Sequence, residues 1–170
     1  MKLKQLLFAA SLNFGLSAFA GNTETVTLTI NVPSILELTT TSNAVTITNT
    51  SADYASSDAI STTAAAAHQF AVRSNRSWDI SVKSATVSFS FTPAYAGDTR
   101  TKPASDVEVR RASGTYTALT TTNASLATGS AGGVSHTGNT FAVDYKIATD
   151  ITLDPPGAYT LDVVYTLTAP

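Results

Sequence analysis

Apolar side chains recur at every second position in several separate stretches of this chain. Val26, Leu28, Ile30 and Val32 alternate with Thr25, Thr27, Thr29 and Asn31, and Trp78, Ile80 and Val82 alternate with Asp79, Ser81 and Lys83. Phe141, Val143, Tyr145 and Ile147 repeat the pattern, as do Tyr159, Leu161, Val163, Tyr165 and Leu167. A period of two places one set of side chains on one face of a pleated strand, whereas a helix needs a period near 3.6. No such stretch is followed by an amphipathic helical pattern of a dozen residues, which disfavours an alternating α/β fold. The expected architecture is all-β: a single β-sandwich, immunoglobulin-like or Greek-key, of about nine or ten short strands.

Punctuation between the stretches refines this reading. Pro33 ends the first strand, because proline cannot donate to a central ladder. Ile35, Leu36 and Leu38 suggest a second short strand, and Val45–Thr50 a third. Residues 51–67 read as a loop with at most one or two helical turns, on account of the Ala64–Ala67 run. Phe70 and Val72 open a strand that turns at Ser74-Asn75-Arg76-Ser77 into the Trp78 strand. Val87, Phe89 and Phe91 form the next, closed by Pro93 and Gly97-Asp98; Val107 and Val109 mark another, with Tyr116 and Leu119 a weak successor. Residues 120–140 read as a polar exposed loop around Gly129-Ser130-Ala131-Gly132-Gly133, and Asp154-Pro155-Pro156-Gly157 as a turn before the closing strand. The inward set is expected to include Val72, Trp78, Ile80, Val82, Phe89, Val107, Val143, Tyr145, Leu161 and Val163.

Composition narrows what such a sandwich does. The 170 residues include 29 Thr and 19 Ser, only 13% charged residues, two His and no Cys. Without cysteine there is no disulfide framework, thiolate nucleophile or zinc-thiolate site. A net charge of -2 with ten basic residues lacks the footprint of a nucleic-acid binder. At the N-terminus, Lys2 and Lys4 precede an apolar run through Leu16, and Ala18-Phe19-Ala20 gives a small-x-small site before Gly21. That is the pattern of a secretory signal peptide over residues 1–20, leaving 21–170 as the β-sandwich domain. The expected location is therefore secreted or at the cell surface. No transmembrane segment is expected in the mature chain, because the leader's apolar run is shorter than the roughly 20 residues a membrane helix needs.

Two segments carry a family likeness: Phe70–Val82, with Arg73-Ser74-Asn75-Arg76-Ser77-Trp78 at its centre, and Pro156–Thr168, which begins Pro156-Gly157-Ala158-Tyr159. With the strand behind the leader they resemble bacterial surface β-sandwiches, in particular spore-coat-U-like and archaic chaperone–usher pilus subunits. In such pilins the subunit lacks a strand, which a neighbour's N-terminal strand supplies. The resemblance implies that Gly157 and Tyr159 open the last strand and that Val26, Leu28, Ile30 and Val32 fill a neighbour's pockets. It also implies copies of the chain or related surface subunits as partners, together with a periplasmic chaperone. A second set, Trp78-Asp79-Ile80 and Tyr165-Thr166-Leu167-Thr168-Ala169-Pro170, resembles the paired Trp-x-Leu motifs of a bacterial cell-wall-binding domain, which would make cell-wall glycan the partner.

The inventory of reactive groups points away from an enzyme. His68 and His136 are too few for a three-histidine metal site, and no Gly-x-Ser-x-Gly elbow or calcium-hand loop occurs. A calcium site built from loop carbonyls with Asp150 or Asp154 stays open, but no metal ligand, catalytic residue or cofactor is assigned. Arg100, Lys102, Arg110 and Arg111, interspersed with Asp98, Asp106 and Glu108, read as a solvated face of mixed ion pairs. Trp78 is in phase with Ile80 and Val82, which assigns it to the core and not to a sugar platform; Tyr95 and Tyr116 lie outside clean alternation and are the surface-contact candidates. Three Asn-x-Ser/Thr sequons, at Asn49, Asn75 and Asn123, are chance matches in so hydroxyl-rich a chain. The functional expectation is a non-enzymatic structural subunit of an extracellular fibre, pilus or surface layer, the alternative being a wall- or glycan-binding module. Sequence leaves open whether the strand at 24–32 pairs within its own domain or is donated.

Overall fold

An extended segment with one apolar face is stable only when a ladder satisfies its amides and a second layer covers that face. The computed structural model describes residues 24–170, so the expected signal peptide lies outside the described residues. Ten strands are formed: β1 (Leu36–Thr40), β2 (Ala59–Ser74), β3 (Trp78–Ser84), β4 (Ser90–Pro93), β5 (Val107–Arg111), β6 (Thr117–Ala118), β7 (Ala124–Gly129), β8 (Thr140–Asp150), β9 (Gly157–Thr160) and β10 (Val163–Thr168). One sheet has the order β1-β2-β8-β5-β6, a second β10-β3-β7, and β4 pairs separately with β9. Every pairing is antiparallel. Among the described residues no helix is long and apolar enough to cross a membrane.

The two main sheets share one core. Phe70 and Val72 of β2, Val107 and Val109 of β5, and Phe141, Val143 and Tyr145 of β8 pack with Trp78, Ile80 and Val82 of β3 and Ala127 of β7. Of the expected inward residues, Val72, Trp78, Ile80, Val82, Val107, Val143 and Tyr145 are buried; Phe89, Leu161 and Val163 are partly buried against the same core. The strand order corresponds to the A-B-E-D and C-F strands of an immunoglobulin-like sandwich, with β1, β2, β8 and β5 in one layer and β3 and β10 in the other. In that architecture strand F lies between C and G. Here β10 pairs only with β3, and no described strand occupies the position of G.

Four expectations are corrected. Residues 59–67 are not loop: β2 runs for sixteen residues, because the eleven-residue β8 pairs with it from Ala59 to Ala71. Its partly buried residues at the start are Ile60, Thr62 and Ala64, and the small or polar character of the last two hid the alternation. The 120–140 stretch contains β7, which completes the sheet beside β3. The closing strand divides into β9, on β4, and β10, on β3. Val87 is exposed, outside β4.

Two strands expected from alternation are absent from the ladders. Val45–Thr50 forms no strand. Residues 24–32 form none either, and Val26, Leu28, Ile30 and Val32 are 72–89% exposed. The compact sandwich runs from Pro33 to Pro170. Alternation prescribes a face for a strand but not a partner, and among the described residues neither segment joins a ladder.

Candidate functional site

An apolar groove opens on the side of the sandwich where β10 and β9 face β2 and β8. It has a volume of about 1350 Å³ and lies between the two sheets. β2 supplies His68 and Phe70, β8 supplies Tyr145 and Ile147, and β10 supplies Val163 and Tyr165. The segment 42–51, which links β1 to the 3-10 turn Ser51–Tyr54, also lines it. That segment is held mainly by Asn49, which donates to Thr149 Oγ1 (2.9 Å) and the Tyr54 hydroxyl (3.1 Å) and accepts from Thr62 Oγ1 (2.8 Å).

The floor is aromatic, and one imidazole is set into it. His68 is 6% exposed. Its ring meets Phe70 edge-on at 4.8 Å, and Tyr145 and Tyr165 each at 5.6 Å. Its Nε2 has no hydrogen-bond partner. Burial lowers the His68 pKa, because removing water disfavours the charged ring. The Tyr145 and Tyr165 hydroxyls bond to each other, and burial raises both their pKa values, so both stay neutral at ordinary pH.

A widened bulge precedes His68. Between the pairs Ala64–Tyr145 and His68–Val143, β2 spends three residues where β8 spends only Asp144. Ala66 takes a positive φ of 47°, and its amide donates to Asp144 Oδ1 at 2.8 Å. Asp144 Oδ2 accepts from Arg110 Nε on β5 at 2.9 Å. The bulge adds two residues, an even number, so His68 keeps the inward phase of Ile60 and Ala64.

A second buried group borders the groove. Lys102 is 2% exposed and donates to Asp154 Oδ2 (2.7 Å), the Ala148 carbonyl (2.7 Å) and Asp106 Oδ2 (3.0 Å). All three ammonium protons thus have acceptors. Arg100 Nε donates to Asp154 Oδ1 at 2.8 Å. Burial pushes the Asp154 carboxyl up, but the bonds from Lys102, the Asp150 amide and Arg100 outweigh it and leave its pKa below the ordinary value. The expected solvated face is therefore corrected at Lys102, which is an internal tie between the chain before β5 and the β8–β9 turn. With both carboxylate oxygens of Asp154 engaged and Asp150 bonded to Thr152, the two aspartates form no shared cation cradle. Among the described residues no group of three or more His, Asp or Glu is arranged to hold a metal ion.

The remaining candidates are dispersed. Trp78 is buried, stacked on Phe141 with centroids 6.2 Å apart, and its Nε1 donates to Asn139 Oδ1 at 3.2 Å. Tyr95 is 67% exposed. Tyr116 is half-buried under Arg110, whose guanidinium carbon lies 4.2 Å from the ring centre, and its hydroxyl is enclosed without a partner. Gly157 and Tyr159, by contrast, lie on β9 and line the groove, with Tyr159 stacked on Phe91 at 4.6 Å. Sequence reading missed the groove and the place of His68 in it. The available signal was the His68-x-Phe70-x-Val72 alternation, which puts the imidazole in phase with the core. No protein-family model matches this chain, and no curated protein matches it.

Proposed function

We propose that this protein is a non-enzymatic structural subunit of an extracellular fibre or surface layer, whose copies join by strand addition. The observation that carries the reading is a pair of complementary features in one chain. β10 is an edge strand, paired among the described residues with β3 alone, and it lies beside an apolar groove. The segment Thr25–Val32 has the alternation of a strand, belongs to no ladder, and exposes Val26, Leu28, Ile30 and Val32. An unpaired edge and an unpaired apolar strand are each an aggregation hazard, and pairing one with the other removes both.

The dimensions agree. From Val26 to Val32 an extended chain covers about 20 Å, against about 17 Å for the six residues of β10. Backbone hydrogen bonds to the free edge of β10 would supply affinity. Alternate side chains entering the groove over Phe70, Tyr145, Ile147 and Tyr165 would supply register. The occupant is thus residues 25–32 of a second copy.

Deleting residues 21–32 tests the reading. The truncated chain is expected to stay monomeric under conditions where the full chain forms fibres seen by electron microscopy. Fibres that form normally without the segment would remove it as the link.

A further inference from the structure

His68 is an unusual residue for the floor of an apolar groove. Phe70 and Val72, in the same phase of β2, are apolar, and an aliphatic or aromatic residue at 68 would fill the space without a polar atom to satisfy. Instead the position holds an imidazole that is more than nine-tenths buried, faces three aromatic rings, and has an Nε2 with no partner. Buried polar groups in native proteins are nearly always paired, so an unpaired one lining an open groove calls for a role.

We propose that His68 makes occupation of the groove proton-dependent: the neutral ring accepts an apolar strand laid over it, and the protonated ring rejects it. The inference rests on the strand-addition reading and adds its regulation. With the groove open the residue keeps 6% of its surface, although Nε2 itself is enclosed; beneath Val, Leu or Ile side chains it would keep none. A charge sealed in apolar surroundings is costly unless a counter-charge is supplied.

The surroundings supply no such counter-charge. From β8 and β10 the groups facing the ring are Tyr145 and Tyr165, neutral and bonded to each other. The lining segment 42–51 contains no titratable residue. Asp144 follows Val143 on the opposite phase of β8, with both oxygens committed to Ala66 and Arg110. Lys102 and Asp154 line the same groove but satisfy each other. Asp162 also lines it and lies between β9 and β10, with no bond to the imidazole. The incoming segment Thr25–Val32 has no acidic residue either. Covering the ring therefore favours loss of its proton, and by linkage acid weakens the association.

The test uses the full chain and a synthetic peptide of residues 25–32 with blocked ends, which itself has no titratable group. Binding is followed by fluorescence anisotropy from pH 7.5 to pH 5.0. We expect affinity about three- to tenfold weaker at pH 5.0, with a slope of at most tenfold per pH unit, the limit for one released proton. His68→Phe and His68→Gln are expected to bind with no such dependence. Peptide that binds equally at all pH values, or a dependence that persists in the variants, overturns the role of His68 while leaving strand addition intact. Peptide that binds at no pH overturns both. Should the variants not fold, the imidazole titrations in the unaltered chain decide: peptide must lower the midpoint of His68 and leave that of His136 unchanged, and an unmoved His68 midpoint rejects the proposal.

Discussion

Asn139 shows how one polar side chain can organise a core that is otherwise apolar. It is fully buried, accepts from the Trp78 indole, and donates from its amide nitrogen to the carbonyls of Gly132 and Gly133, each at 3.2 Å. A β-sandwich must satisfy the indole N–H when it buries a tryptophan, and this asparagine does so while fastening the turn before β8. Replacing it with leucine keeps the volume but strands the indole donor, while the Gly132 and Gly133 carbonyls keep the Ser74 and His136 amides. The expected loss is about 1–3 kcal/mol in urea denaturation. Gly129 has the complementary role as the cross-strand partner of Trp78. A Cβ there would lie 2.1 Å from the indole, so Gly129→Ala is expected to cost about 1–3 kcal/mol by overpacking, measured the same way. The burial of Trp78 was legible from its phase with Ile80 and Val82. Asn139 and Gly129 were not, because in a Gly- and Ser-rich stretch both residues read as turn formers, and only the approach of a distant strand gives them their partners.

At the scale of elements, the long hairpin-like pairing of β2 with β8 is the frame, and its bulge is the place where local preference yields to tertiary pairing. Ala64–Ala67 favours a helix, yet the segment is drawn into the sheet because β8 presents eleven residues of ladder. The strain falls on Ala66, whose φ of 47° is a left-handed conformation that costs an alanine about 1–2 kcal/mol. Glycine adopts it freely but gives up more entropy on folding, so Ala66→Gly is expected to stabilise the protein by about 0.5–1 kcal/mol net. Asp144 compensates the bulge from below by taking the Ala66 amide and the Arg110 guanidinium. Asp144→Ala removes the acceptor of the Ala66 amide and the carboxylate partner of Arg110, which keeps the Gly114 carbonyl and the Tyr116 ring, and is expected to cost about 1–2 kcal/mol. Thermal and urea unfolding of the two variants should shift in opposite directions; a shift in the same direction would mean that the bulge reorganises. None of this was readable in advance, since the sequence alone pairs Ala66 with no carboxylate and marks residues 51–67 as loop.

For the whole molecule, alternation was enough to announce an all-β sandwich and most of its core, because a period of two survives any choice of neighbours. It was not enough to show that β10 stays an edge or that a groove opens beside it, because those depend on which strands pair. The same uneven burial sets how stability responds to acid. His68 has a pKa below its ordinary 6.5 because burial disfavours its charge. The unfolded chain therefore takes up a proton near that pH that the folded chain resists, and stability, full above it, falls as pH drops. Asp154 behaves as a depressed carboxylate: burial alone would raise it, but Lys102, the Asp150 amide and Arg100 hold it below 3.8. Its contribution is present above that value and is lost as pH falls through the folded pKa. Glu37, Asp53 and Asp150 shift the same way but are solvent-screened and add little. Two separate declines are thus expected in the urea midpoint, the first below about pH 6.5 and the second below about pH 4. His68→Phe should remove the first and keep the second, and Asp154→Asn should do the reverse at the cost of a lower plateau. A midpoint constant from pH 8 to pH 5 in the unaltered chain would mean that the imidazole titrates as if in water, and the aromatic floor would then be open to solvent in the folded protein.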